Sequence, residues 1–151
     1  MALTCTVHEK INAPPEAVFA AAIDFPNAPQ RITGIKKMEM LTQGPVGVGT
    51  KFRETRVMFG KEATETMEVV DFQPGRSYTL AAASCGCEYR TVVSVRPTGA
   101  GSEVTFDFSG RPMTFGAKVM GALMGWMMKG ACLKAVRQDL ADLKAAVESA
   151  K

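Results

Sequence analysis

Few residues of this chain are of a type and spacing that could do chemistry. Phe52, Glu54 and Arg56 share one parity in the stretch 50–58, so an arrangement that turns Phe52 inward turns a carboxylate and a guanidinium inward with it. Buried together, the two must satisfy each other or a ligand group, because an unpaired buried charge is costly. They could orient a polar head, or Glu54 could exchange protons with a raised pKa. The alternative is a bulged strand whose two charges reach solvent at the rim. Tyr78 and Tyr89 could add hydroxyl hydrogen bonds in the same space, although buried tyrosines mostly satisfy only the protein.

His8 is the only histidine. Around it, apolar Cys5, Val7 and Ile11 alternate with Thr4, Thr6, His8 and Lys10, the period of a strand with one wet face. His8 has the wet parity, so a surface role is expected rather than catalysis, which needs a placed partner and a cleft. Cys85 and Cys87 flank Gly86 in an expected hairpin turn, far in sequence from Cys5 and Cys132; with one histidine available, structural free thiols are expected, with no metal and no cofactor. The sequence has no Ser-His-Asp set, phosphate-cradling glycine loop or dinucleotide fingerprint. Gly121 and Gly125 make a GxxxG spacing that outside a membrane indicates close packing or room beside a helix.

The elements that must position these residues follow from periodicity. Leu133, Val136, Leu140, Leu143 and Val147 recur at steps of three and four among Lys134, Arg137, Asp139, Asp142 and Lys144, which predicts a one-sided helix. Upstream, from Met113 to Cys132, the same helix is apolar nearly all round, with only Lys118 and Lys129 as charges. Such a surface needs a cover. Between the expected first strand (4–11) and Gly34, Pro14 and Pro15 open a short helix over 17–23, and Asp24 can cap a second short piece. From Gly34 the chain reads as strands over 35–41, 50–58, 62–72, 77–84, 88–96 and 103–109, broken by Gly- and Pro-bearing turns, one of them at Phe59-Gly60-Lys61. Connections this short join antiparallel neighbours. The expected fold is α+β: a curved antiparallel sheet of about seven strands wrapped around a long C-terminal helix, with two short helices between the first two strands.

The 151 residues, 46% of them hydrophobic, suffice for one domain spanning the chain. The net charge of +3 and scattered basic residues give no case for nucleic acid. Only ten apolar residues, 119–128, separate Lys118 from Lys129, too few for a transmembrane helix. The N-terminus shows no signal-peptide pattern, and a cytoplasmic monomer or homodimer is expected.

The segments INAPPEAVFAAAIDFPNAPQRITGI, GPVGVGTKFRE, VVDFQPGRSYTL, PTGAGSEVTF and LADLKAAVE resemble landmarks of the polyketide cyclase/dehydrase and lipid-transport proteins of the START-like, birch-pollen-allergen-like (SRPBCC) superfamily. The resemblance implies a helix-grip fold with a cavity between sheet and C-terminal helix. Independently, the inward parities are apolar: Met38 and Met40, Phe52, then Met67 and Val69. Tyr78 and Leu80 follow, then Tyr89, and then Phe106 and Phe108. Leu123 and Met127 are expected to border the cavity or its mouth, while Leu133 to Val147 fastens the helix. The expected function is binding of a lipophilic small molecule such as a lipid, isoprenoid or polyketide-like ring system. Two alternatives stand beside it: a cyclase or dehydratase using the same cavity with Glu54, Arg56 or a tyrosine handling protons, and an interaction module working through the apolar half of the helix.

Overall fold

A computed structural model describes residues 3–58, 60–84 and 86–149; Phe59 and Cys85, which the sequence places in turns, lie outside the described residues. The chain runs β1 (Leu3–Ile11), α1 (Pro15–Ala22), a single 3-10 turn (Phe25–Asn27), α2 (Ala28–Arg31), then β2 (Ile35–Met40), β3 (Lys51–Met58), β4 (Lys61–Gln73), β5 (Ser77–Ser84), β6 (Cys87–Pro97), β7 (Ser102–Pro112) and finally α3 (Phe115–Ser149). All seven strands form one antiparallel sheet in the order β1-β7-β6-β5-β4-β3-β2. Strands β2 to β7 are a meander because their connections are too short for crossovers. The helices after β1 carry the chain away from it, and β1 instead pairs with β7, Leu3 opposite Gly110 and Ile11 opposite Ser102. This is the expected helix-grip architecture.

Alternation assigns most inward residues, but β4 breaks it. The register shifts between Val69 and Asp71, so that Val69 faces Leu80 while Phe72 faces Tyr78. The extra residue puts Phe72 back on the inner face, where its ring centroid lies 5.7 Å from that of Phe19 on α1. Such bulges bend a sheet and help it curl. Phe25 stacks on Phe52 at 4.4 Å, and the Tyr78 hydroxyl donates to the Ala22 carbonyl at 3.3 Å. These contacts close one end of the sheet's concave side with the two short helices.

Pro15 starts α1 without a side-chain cap, as a fixed φ and a missing N–H allow. Asp24 does not cap the next piece as its type suggests. Its carboxylate instead accepts from the Asn27 side-chain amide and pairs with Arg31 at 2.9 Å. Helix α3 begins two residues later than the expected Met113, because the Thr114 hydroxyl accepts the Ala117 N–H at 3.2 Å and fixes the end. Its C-terminal half packs chiefly over β1, with β7 and α1 beside it, and Val136, Leu140, Leu143 and Val147 are buried as the periodicity requires. The segment Phe115–Met127 is inclined by 64° to Lys129–Ser149 and remains exposed, with Phe115, Leu123 and Trp126 at 82, 70 and 79%. No single helix among the described residues is long and apolar enough to cross a membrane.

Candidate binding cavity

The concave sheet and α3 enclose a cavity of about 540 Å³. Each strand from β2 to β7 contributes alternate side chains: Met38; Phe52, Glu54 and Arg56; Met67; Tyr78 and Leu80; Tyr89, Thr91 and Val93; Phe106 and Phe108. The helix side is made of small or short residues, Ala131, Cys132, Ala135, Val136 and Asp139, with Leu143 beyond them. Those small side chains leave the space that larger ones would fill. Ala21, Ala22, Phe25, Ala28, Arg31 and Ile32 add the wall beside the short helices, and Lys61, Ala63 and Glu65 extend it along β4.

Of the twelve residues expected at the cavity, ten by strand parity and two on the helix, eight stand in the lining: Met38, Phe52, Met67, Tyr78, Leu80, Tyr89, Phe106 and Phe108. Met40 is half-buried against the core, and Val69 is fully buried within it. Leu123 and Met127 lie exposed on the inclined segment, outside the lining. The cavity's helical wall comes from the half of α3 that also fastens it, because a helix that presents Val136, Leu140 and Leu143 to the sheet presents Ala135 and Asp139 beside them. Gly121 and Gly125 have open space around them, which is the roomy reading of their spacing. His8 is on the exposed face, its Nδ1 2.9 Å from the Thr105 hydroxyl.

Glu54 and Arg56 both face the cavity, and the structure adds a third charge. Arg56 Nε donates to Glu54 Oε1 at 2.5 Å, while Nη1 and Nη2 donate to the two oxygens of Asp139 at 3.2 and 2.5 Å. Glu54 and Asp139 are 6 and 8% exposed. A bidentate guanidinium–carboxylate pair is a strong, directional contact, and here it spans from sheet to helix. Gly34 makes room for it: a Cβ at Gly34 would stand 3.1 Å from Arg56 Nη1. One helical turn on, Asp142 accepts both the Thr33 N–H and its hydroxyl at 2.9 Å, holding the loop before β2 against α3. Asp139 was legible as an anomaly, an acid three residues after Val136 and four before Leu143 on the buried stripe, but sequence alone counted it among the solvated residues.

Two carboxylates share one guanidinium in this cluster. Burial raises the pKa of Glu54, partly offset by Arg56, and does the same to Asp139. Burial also works against the Arg56 charge, but Glu54 and Asp139 outweigh it and hold the guanidinium ionised. Each acid thus keeps its proton to a higher pH than a free carboxylate does. Tyr78, wholly inside, is pushed upward by burial and by the nearby carboxylates. At neutral pH it is a neutral hydroxyl already committed to Ala22. What faces the cavity is therefore a fixed cation between two acids whose hold on a proton is strengthened by burial, set in a wall that is mostly apolar but also includes Arg31, Lys61 and Glu65.

The sheet and helix also bring together Cys5 and Cys132, whose sulfurs lie 3.4 Å apart. Burial and the neighbouring Cys5 thiol raise the Cys132 pKa to about 12, so this thiol is protonated and a poor nucleophile. The distance of 127 residues between the two hid the contact from any reading of spacing.

Solved structures share this architecture. The protein TTHA0849 from Thermus thermophilus superposes with a TM-score of 0.81 at 18% identity, covering 100% of this chain and 99% of that one. The Zhui aromatase/cyclase from a Streptomyces species gives 0.79 at 15% identity, covering 98% and 93%. A START superfamily protein from Mycobacterium smegmatis gives 0.76 at 16% identity, covering 99% of each. No curated protein matches the chain in sequence. The model of the family described as polyketide cyclase / dehydrase and lipid transport matches residues 3–148, and the chain belongs to that family.

Proposed function

We propose that the chain binds a lipophilic small molecule, of lipid, isoprenoid or polyketide-like character, in the cavity between sheet and α3. The observation that carries this reading is a space of about 540 Å³ whose wall is chiefly apolar, its charged members being the Glu54–Arg56–Asp139 cluster together with Arg31, Lys61 and Glu65. An apolar body would lie against Met38, Met67, Leu80, Phe106 and Phe108, gaining roughly 25 cal/mol for each Å² removed from water. One polar group would reach the cluster and fix the orientation, as few convergent polar groups do in apolar pockets. Native mass spectrometry of freshly purified protein tests this directly, together with thermal shifts across a panel of fatty acids, isoprenoids and polycyclic phenols. A bound apolar species, or stabilisation by one class of the panel, is the expected result; an empty protein that no member stabilises removes the reading.

A second reading is catalysis of a cyclase or dehydratase type in the same cavity. It is supported by Glu54, an acid whose pKa burial raises, beside the permanent charge of Arg56. That pairing is suited to passing a proton to or from a carbonyl oxygen held in the cavity. Glu54→Gln keeps the shape and removes the exchangeable proton. Turnover of a poly-β-ketone thioester that falls steeply in this variant, with binding retained, supports catalysis; unchanged turnover takes Glu54 out of it.

A further inference from the structure

The exposed segment of α3 carries a second feature besides its apolar surface. From Phe108 to Gln138 the chain has Arg111, Lys118, Lys129, Lys134 and Arg137 and not one Asp or Glu. Arg111 pairs with Glu88 at 3.5 Å; the other four take part in no ion pair among the described residues. Phe115, Val119, Leu123 and Trp126 follow one another at helical steps along one face and are all exposed. Lys118 stands on the same segment as that stripe, and Lys129 opens the next segment, just past the 64° bend that follows Met127.

We propose that the segment Phe115–Met127 is a docking surface for a bilayer rich in anionic phospholipids. Exposed contiguous apolar surface marks a partner, and the charge around this patch selects the kind. A second copy of the chain would set the same uncompensated cations against themselves, which opposes self-association. Anionic headgroups compensate them, while Phe115, Leu123 and the amphipathic indole of Trp126 enter the interfacial layer where such residues are favoured. At about 20 Å the segment is too short for the roughly 30 Å hydrocarbon core, so it lies in the membrane plane. Its inclination of 64° to the packed half of α3 lets it lie there without displacing the sheet's cover. Ala131, the first helical residue of the cavity wall, follows Met127 by a single turn, which sets the bilayer surface beside the cavity.

Trp126 is the only tryptophan, so its emission reports on the surface without a label. The full chain is mixed with phosphatidylcholine vesicles and with vesicles that also contain phosphatidylglycerol, and binding is read by emission shift and co-sedimentation. The expected result is a blue shift and sedimentation with the anionic vesicles, weakened by added salt, and much weaker binding to phosphatidylcholine alone. Replacing both Lys118 and Lys129 by Glu should weaken anionic binding by about tenfold or more, and Leu123→Glu should abolish it, with thermal unfolding midpoints unchanged in both. No binding to anionic vesicles overturns the proposal, as does binding equal on both compositions and indifferent to salt. A dimer that shields Trp126 and is dissolved by Leu123→Glu overturns it in favour of a second copy; capture of a protein by the same face while vesicles fail overturns it in favour of that partner. Docking can fail while fatty acids, isoprenoids or polycyclic phenols still stabilise the protein, and the reverse, so the failure of this proposal and that of the cavity reading are distinguishable.

Discussion

Arg56 on β3 and Asp139 on α3, 83 residues apart, are joined by two parallel N–H···O bonds. The pair ties the sheet to its helical cover inside the cavity that separates them. Removing the cation leaves Glu54 and Asp139 buried and facing each other without compensation. Arg56→Ala should therefore destabilise the fold at neutral pH by about 3–5 kcal/mol, the range for breaking a buried pair. The loss, measured by chemical denaturation, should shrink as the pH falls and the carboxylates protonate.

The pH dependence has a definite sign. Glu54 and Asp139 bind protons more tightly folded than unfolded, so their contribution to stability is complete below the ordinary carboxylate pKa and is lost as pH rises through the raised folded values. Asp142 runs the other way: against a burial effect that raises its pKa, the bonds from Thr33 and Gln138 hold it low. Its contribution is present above the unfolded pKa and lost as pH falls through the folded one. Unfolding midpoints of wild type and Glu54→Gln between about pH 4 and 8 should separate these effects, the variant gaining on wild type as pH rises. A variant that loses ground with rising pH would contradict the assignment of Glu54.

Gly34 is a steric test of the same cluster. A methyl group there would press on Arg56 Nη1 at 3.1 Å. Gly34→Ala should cost about 1–3 kcal/mol through the displaced guanidinium. In the Arg56→Met background, with its smaller and more flexible end, the cost should fall, which a double-mutant cycle reads directly.

Capture and stability should separate along α3. Leu140 is 1% exposed, and Leu140→Ala should cost about 2–5 kcal/mol. Ala135→Trp instead fills the space that small helix residues leave. It should cut affinity for a cavity ligand by about tenfold or more while costing about 1–3 kcal/mol, as titration calorimetry and denaturation on one preparation would show. Leu123 is exposed and outside both the cavity wall and the packed half, so the stability of Leu123→Ala should stay within about 0.5 kcal/mol of wild type.

The order of β2 to β7 and most inward faces were legible because the sheet has one dry side and short turns, so a parity of two carries nearly all the information; the place of β1 beside β7 was not, since no short turn ties it to a neighbour. The bulge at Val69–Asp71, which returns Phe72 to the inner face, was not, since no residue there announces a register shift. The ion cluster was half legible: Glu54 and Arg56 share parity with Phe52, but Asp139 is joined to them only by how α3 sits on the sheet. The same limit explains Leu123 and Met127. Periodicity shows that a helix segment is apolar without saying whether protein covers it, and the 64° inclination that leaves it uncovered belongs to tertiary structure.

The pairing of β1 with β7 has a consequence for how the protein comes into being. The first strand finds its partner only in residues 102–110, and the half of α3 that packs over β1 follows every strand of the sheet in the chain. During synthesis the meander from β2 to β7 can pair locally, while β1 waits with an unpaired edge. Such long-range closure is slow because chain entropy must be lost before contacts form. Refolding should therefore show an early phase for β2 to β7 and a later one for β1 and α3, and slow codons or chaperone contact after β7 has been made would act on the second.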